Sequence, residues 1–199
     1  MRLRALIALA LVLGGSALVA TTASAGNAGQ RGDPVVDLVI RDCARDDDLD
    51  VDYPLRALRR ALDELPRYVR RNTRCERVIE RAIDRARNRL DRQVDRVWRD
   101  CGNDDELDRD YSVQVLRRAL RWLPDDLRDY TGCERAIERA IERAQRRLQN
   151  EVDRIIRRCE NDRDLDDRDY SLDALFRALR RVEGDRRCER AIVRAIQDS

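Results

Sequence analysis

Six cysteines at regular spacing are the feature that most restricts how this chain can fold. They are Cys43, Cys75, Cys101, Cys133, Cys159 and Cys188. The first, third and fifth lie 58 residues apart, the second and fourth repeat that interval, and the sixth comes three residues early. Self-similarity at such a period is typical of arrays of structural units. The spacing therefore predicts three units, at 43–100, 101–158 and 159–199, of which the last is shortened.

Each unit contains stretches with the apolar periodicity of a helix. In the second unit, a short stretch has apolar residues at positions i, i+3, i+7 and i+10, namely Val113, Leu116, Leu120 and Leu123. A longer stretch runs from Cys133 to Cys159 without Gly or Pro, and its apolar residues are spaced 4-3-4-4-3-4, close to the eleven-residue repeat of a coiled coil. We therefore predict an all-α fold in which short and long amphipathic helices alternate.

The helix boundaries are predicted from local signals. Pro66 and Pro124 should end the first two short helices, because proline cannot continue a helix. Thr73 and Thr131 are each followed three residues later by glutamate, which predicts a capping box at the start of each long helix. The segments 35–43 and 188–199 resemble the second and first halves of a long helix, so the array should begin and end with half-helices.

Helix geometry narrows the cysteine pairing. Cys75 and Cys101 lie 26 residues apart at opposite ends of one long helix, a distance of about 39 Å, whereas a disulfide needs Cα atoms within about 7 Å. The same argument excludes Cys133 with Cys159. The repeat then favours the pairs Cys43–Cys75, Cys101–Cys133 and Cys159–Cys188, each spanning one short helix. Zinc and C-x-x-C redox chemistry are disfavoured, because histidine and the required cysteine spacing are absent from the sequence.

An acidic segment follows the first cysteine of each unit. The alternating acids are Asp46, Asp48, Asp50 and Asp52 in the first unit and Asp104, Glu106, Asp108 and Asp110 in the second. In the third unit, Asp162, Asp164, Asp166 and Asp169 nearly repeat this pattern. Alternating oxygen ligands begin a helix-flanked calcium loop, but Arg109 and Val115 stand where that loop needs glycine and glutamate. We favour acids placed before a helix N-terminus, where the helix dipole stabilises them. Weak calcium binding is the alternative.

The N-terminus predicts export. Residues 1–25 combine Arg2 and Arg4, an apolar stretch and the small residues Ala23-Ser24-Ala25, which together are typical of a cleaved signal peptide. We expect a flexible segment at 26–33, one helical repeat domain at 34–199, a secreted or cell-envelope location and no transmembrane segment after the signal is removed.

Net charge argues against two classes of partner. Residues 1–25 carry two of the 42 basic residues and none of the 40 acidic ones, so residues 26–199 hold 40 of each sign. A nucleic-acid-binding or membrane-binding protein usually needs a one-sided basic surface. We therefore predict that the protein does not bind nucleic acid.

Other side chains are assigned packing roles. Tyr53, Tyr111 and Tyr170 share one position in the repeat and should pack where each short helix begins, and Trp98 should lie in the core. Trp122 is predicted to pack locally with Val115 and Ala119, with a partner contact as the alternative. Catalytic residues, metal and cofactors are not predicted, because nucleophile–base pairs of the usual kinds cannot be assembled without histidine.

The second unit also carries a recognisable pattern. The segment "DELDRDYSVQVLRRALRWLPDDLRDYTGCERAIERA" resembles Cys-bounded helical modules of uncharacterised secreted bacterial proteins. Its features are an acidic loop, Leu-Asp, Tyr-Ser, Leu-Pro and Tyr-Thr-Gly-Cys. The first unit matches in part and the third only at its start. The resemblance implies repeat boundaries but no activity, so we predict a non-catalytic protein with a structural or protein-interaction role at the cell surface.

Overall fold

The computed structural model describes residues 32–161, 165, 169–182 and 184–199, and all regular structure in this part of the chain is helical. The helices are α1 (Pro34–Asp46), α2 (Leu55–Asp63), α3 (Arg67–Asn72), α4 (Cys75–Asp104), α5 (Val113–Arg121), α6 (Asp125–Tyr130), α7 (Cys133–Glu160), α8 (Leu172–Arg181) and α9 (Arg186–Gln197). The all-α prediction is confirmed. The predicted signal peptide at 1–25 and the acids Asp162, Asp164 and Asp166 lie outside the described residues.

Short and long helices alternate as the apolar periodicity predicts. Helices α4 and α7 have 30 and 28 residues, whereas α2, α5 and α8 have nine or ten. Along α7 the buried side chains follow the predicted spacing and include Ile137, Leu148 and Ile155, while Ile141 is half-buried. The first and last described helices, α1 and α9, have 13 and 12 residues, about half the length of α4 and α7.

Two further short helices were not predicted from the sequence. Pro66 and Pro124 follow the ends of α2 and α5, but each is also the residue that precedes a new six-residue helix, α3 or α6. Their φ angles of −58° and −56° are those that the pyrrolidine ring imposes, and a residue at a helix start needs no N–H donor. Proline therefore separates two helices here and does not simply end one.

The predicted capping boxes are wrong. Helices α4 and α7 begin one residue later than expected, with Arg74 and Gly132 at the N-cap position. The hydroxyl of Thr73 accepts a hydrogen bond from the backbone N–H of Cys75 at 3.2 Å and donates to a carbonyl of α3 at 2.7 Å. Thr73 thus bridges the end of α3 and the start of α4. Glu76 forms an ion pair with Arg70 at 3.3 Å and does not reach back to the cap.

The short helices lie between the longer ones, and the last of them returns to the first helix. Helix α2 packs on α1 and α4, α5 packs on α4 and α7, and α8 packs on α7, α9 and α1. Asp33 caps α1 by accepting from Val35 N–H at 3.0 Å, and both of its carboxylate oxygens also lie 3.0 Å from Nε of Arg180 on α8. The rings of Tyr53 and Phe176 meet with centroids 5.7 Å apart.

These contacts join both ends of the described region, and residues Gly32–Ser199 form one compact unit. Its apolar core includes residues from the short helices, such as Leu58 and Leu116, and from the long helices, such as Ile79 and Ile137. Within the described residues, no helix is long and apolar enough to cross a membrane.

Candidate functional site

The turn between α1 and α2 is built around a buried carboxylate, that of Asp42, which is 5% exposed. Its oxygens accept hydrogen bonds from the Tyr53 hydroxyl at 2.9 Å, the Asp50 backbone N–H at 3.2 Å and Nη2 of Arg45 at 3.2 Å. Burial raises the pKa of Asp42, and the bonds from Tyr53 and Asp50 partly oppose that rise. Burial also raises the pKa of Tyr53. The carboxylate therefore fixes the path of the turn.

In the second turn a tyrosine hydroxyl again donates to a carboxylate, whereas in the third turn the tyrosine hydroxyl accepts a hydrogen bond from an arginine. The Tyr111 hydroxyl donates to Asp100 at 3.0 Å, and desolvation is the main cause that raises the pKa of Tyr111 to about 12. In the third turn Arg158 takes the place of the carboxylate. Its Nη1 donates to the Tyr170 hydroxyl at 3.4 Å and to Asp169 at 3.2 Å. The tyrosines pack where predicted, but the sequence analysis missed these polar partners.

Another aspartate in each of the first two turns connects the end of one helix to the start of the next long helix. Asp47 and Asp105 have left-handed backbone angles, with φ of 63° and 62°, and their N–H groups bond to the carbonyl of the cysteine four residues earlier. Their carboxylates accept from the backbone N–H of Arg74 and Gly132, each at 2.7 Å. Aspartate tolerates this backbone conformation better than most residues. The acids of these turns thus orient the chain and cap α4 and α7.

Three disulfides join successive longer helices across the short ones, linking α1 to α4, α4 to α7 and α7 to α9. The structure contains the bonds Cys43–Cys75, Cys101–Cys133 and Cys159–Cys188. Their Cα atoms lie 5.6, 5.5 and 5.4 Å apart, within the normal range for a disulfide. These are the pairs that helix length and repeat spacing favour, because each joins the last turn of one helix to the first turn of another.

The acids that resemble calcium ligands do not converge on a common point in the described loops. Arg45 pairs with Asp46 at 3.5 Å and also binds Asp50. Asp48 accepts from the backbone of Leu49 at 2.9 Å. Further pairs are Asp52 with Arg89 at 2.9 Å and Asp110 with Arg147 at 2.6 Å. In the described part of the chain, no group of three or more His, Cys, Asp or Glu side chains is placed to hold a metal ion.

Arginines also line a cavity beside the second acidic loop. This cavity of about 270 Å³ is lined by Arg96, Arg99 and Arg109 together with Asp100 and Tyr111. The lining of this cavity has three guanidinium groups and one carboxylate, so the cavity itself is a poor place for a metal cation. The described loops therefore support the interpretation of acids as structural groups, with arginines as their counterions.

A second candidate site is an open groove of about 410 Å³ lined by residues of the short helices α2, α5 and α8 and of the long helix α4. We call it the arginine groove. Its charged and aromatic lining consists of Arg56, Arg59, Arg117, Arg118, Arg121, Arg177 and Trp122. Leu55, Leu90 and Val113 are buried beneath them and form its floor. Sequence reasoning missed this site, because its residues come from helices that are distant in the chain.

The arginines of the groove differ in how they are held. Arg118 bonds to Asp91 at 2.7 Å and Arg177 pairs with Asp173 at 3.5 Å. Within the described residues, the remaining four lining arginines have no carboxylate at ion-pair distance. The groove therefore concentrates uncompensated positive charge on a chain whose residues 26–199 are balanced overall.

Trp122 is exposed at the groove, so the prediction that it packs locally is wrong. Its surface is 64% exposed, whereas Val115 and Ala119 are buried in the core. Trp122 is the C-cap of α5, with φ of −112°, and therefore departs from the helical face that those residues occupy. Glu64 caps α2 at the corresponding place, and that polar residue is the signal that would have indicated exposure. Trp98, in contrast, packs against the core and donates to the Ala119 carbonyl at 3.0 Å.

The serine hydroxyls at the starts of α5 and α8 have structural partners. Ser112 and Ser171 are the N-caps of α5 and α8, and each accepts a backbone N–H at 3.4 Å. A capping hydroxyl is committed to the helix end and is not aligned by a neighbouring base. The chemistry that the groove offers is therefore recognition of negative charge by guanidinium groups, with an indole ring beside them.

Comparisons with known protein families, with characterised proteins and with solved structures find no match to this chain.

Proposed function

We propose that this chain is an exported, non-catalytic helical repeat protein that binds another macromolecule through the arginine groove. The observation that carries the proposal is that six arginines line one groove, four of which have no carboxylate at ion-pair distance among the described residues. Like charges that face one another lower stability, and a fold with equal numbers of acids and bases in residues 26–199 has carboxylates with which to pair them. A surface that keeps such repulsion is best explained by a partner that supplies the missing negative charge.

Matching contacts support a repeat of 58 residues. The Asp42–Tyr53 bond corresponds to Asp100–Tyr111, and in both cases the partners are 11 residues apart. Two of the disulfides each span 32 residues, and the aspartate bonds to the starts of α4 and α7 each span 27. Such recurrence is expected when one supersecondary unit is duplicated and neighbouring units share a core. The proposed kinship with secreted Cys-bounded modules is consistent with these boundaries.

Three disulfides support a location outside the cytoplasm. All six cysteines are paired, and disulfides of this kind persist chiefly in oxidising compartments. We propose that residues 1–25 direct the chain there and are removed. N-terminal sequencing of the exported protein should begin near Gly26, and a retained N-terminus at Met1 would contradict this part of the proposal.

Site-specific photocrosslinking in the producing cells tests the interaction role. A photoreactive residue replaces Gln114 in the groove or, as a matched control, Tyr130, which is 88% exposed and does not line the groove. We expect a discrete crosslinked product from position 114 that disappears when Arg117→Glu and Arg121→Glu are added. Position 130 should give no such product. Identical patterns from both positions, or no product from either, would contradict the proposed function.

A further inference from the structure

We propose that the arginine groove binds an acidic peptide segment of a partner protein in which carboxylates are interspersed with apolar side chains. The assignment rests on the proposed interaction function and adds the chemical class of the partner. It follows from three properties of the groove: the arrangement of its charges, its aromatic residue and its limited extent.

The charges of the groove suit separate carboxylates. Arg117 and Arg121 lie four residues apart on α5, and Arg56 and Arg59 lie three apart on α2, so each pair shares a helix face. A guanidinium group binds a carboxylate through two parallel N–H donors. The arginines of α2 and α5 therefore offer several planar guanidinium groups to a peptide that lies in the groove.

The residues beside the arginines suit a peptide. Trp122 exposes most of its ring and can cover an apolar side chain of the partner. Gln114 is exposed in the same lining, and its amide both donates and accepts, as a peptide backbone requires. Aliphatic parts of the arginine side chains add further apolar surface. An inorganic polyphosphate has no apolar group that would use these contacts.

The limited extent of the positive surface argues against a long polyanion. The groove is about 410 Å³ in volume and is bordered by Asp91 and Asp173, each bound to a lining arginine. Residues 26–199 carry no net charge, so no long-range field draws a nucleic acid or an anionic membrane toward the molecule. A short acidic segment can satisfy the groove without approaching these carboxylates.

Fluorescence anisotropy with defined probes tests the assignment. The main probe is a labelled synthetic peptide of about twelve residues, about 40 Å when extended, with Glu at every second position and Leu between. A second peptide has Ser in place of Leu. A single-stranded oligonucleotide of equal charge and vesicles containing an anionic lipid represent the other classes of ligand. All are measured with the oxidised protein at low ionic strength, where exposed charges are least screened.

Paired variants locate the binding site. We expect Arg117→Glu with Arg121→Glu to weaken binding of the Glu-Leu peptide by at least about tenfold, because two attractive contacts become repulsive. The control is Arg135→Glu with Arg139→Glu, an exposed pair with the same spacing on α7 outside the groove lining, and binding should change less than about twofold. Trp122→Ala should weaken the Glu-Leu peptide by about fivefold and leave the Glu-Ser peptide nearly unchanged.

Several results would overturn the assignment. Equal effects of the α5 and α7 double variants would show that binding is not in the groove. Tighter binding of the oligonucleotide or vesicles than of the peptide, with loss in the α5 variant, would assign the groove to another class of ligand and preserve the proposed function. Absence of peptide binding overturns the assignment, and the crosslinking result then decides the interaction role separately. Arg56→Ser with Arg59→Ser on α2 provides a second groove variant if the α5 variant loses its helical circular dichroism.

Discussion

Removal of the Tyr53 hydroxyl is the sharpest test of how the first turn is held. In Tyr53→Phe the ring and its contact with Phe176 are retained, but the carboxylate of Asp42 loses the donor at 2.9 Å. Tyr53 is 3% exposed and Asp42 is 5% exposed, so water cannot readily replace the lost hydroxyl. A hydrogen bond to a buried charged group contributes about 1.5–3 kcal/mol, and we expect the free energy of unfolding to fall by that amount near pH 7.

Tyr111→Phe is the matched control. It removes the corresponding bond to Asp100, but both residues are half-buried and water can solvate the carboxylate. The expected loss is about 0.5–1.5 kcal/mol. Urea denaturation of the oxidised proteins, followed by far-ultraviolet circular dichroism, measures both variants under the same conditions.

The pH dependence of Tyr53→Phe gives an independent check. Folding raises the pKa of Asp42 above its ordinary value of 3.8, so its contribution to stability is greatest below that value and declines as the pH rises through the folded pKa. The tyrosine hydroxyl lowers this folded pKa, and its removal should raise it further. The cost of Tyr53→Phe should therefore be smaller at about pH 4 than at about pH 7. Equal costs for Tyr53→Phe and Tyr111→Phe, or a larger cost in acid, would refute this reasoning.

Four further outcomes can be measured by the same denaturation assay. Cys101→Ser with Cys133→Ser should lower stability by about 3–4 kcal/mol, because the disulfide closes a loop spanning 32 residues, and a loss below about 1 kcal/mol would contradict the chain-entropy argument. Asp105→Ala should lower the free energy of unfolding by about 1–2 kcal/mol, because the bond to Gly132 is lost and alanine is strained in the left-handed backbone conformation. Asp105→Gly loses the same bond without that strain and should cost less, and the reverse order would contradict a conformational contribution. Asp33→Ala should cost about 1 kcal/mol through the lost cap of α1, and an unchanged midpoint would argue against that cap. Calcium at about 1 mM should change the free energy of unfolding by less than about 0.4 kcal/mol, the effect of a site half-occupied at that concentration, and a larger shift would favour the calcium alternative.

Features with a strong local or covalent signal could be predicted from the sequence. Apolar spacing identified the long helices, since a run without Gly or Pro that keeps one apolar face has few other stable conformations. Helix length excluded Cys101 as the partner of Cys75, and the repeat then favoured the pairing of Cys75 with Cys43 that the structure contains. Helices α3 and α6 were missed because six residues are too few for the periodicity to be visible, and because each follows a proline that also indicates a helix end.

Side-chain partners across elements were harder to predict. Asp42 lies in an acid-rich segment, and nothing local distinguishes it from its exposed neighbours; its role depends on Tyr53, which packing brings beside it. Asp47 was overlooked because it falls between the alternating positions that suggested calcium ligands. For Asp42 and Asp47, the pattern of acids in the sequence shows only that the segment is rich in carboxylates. The packing of the folded chain determines which carboxylate is buried, which caps a helix and which pairs with arginine.

The arginine groove shows why a balanced net charge did not exclude a one-sided surface. On the long helix α7, Glu134 and Glu138 alternate with Arg135 and Arg139, so opposite charges stay close in sequence and in space. Helix α5 is different, because its nine residues include three arginines and no acid. Averaging over the chain hid that local excess, and packing then placed α5 beside the arginines of α2 and α8. Charge counted helix by helix gives α5 a net charge of +3, which α3 and α9 also reach, so only the packing shows which of these helices lines a groove with other arginines. The net charge of a chain constrains its long-range field and leaves its local surfaces undetermined.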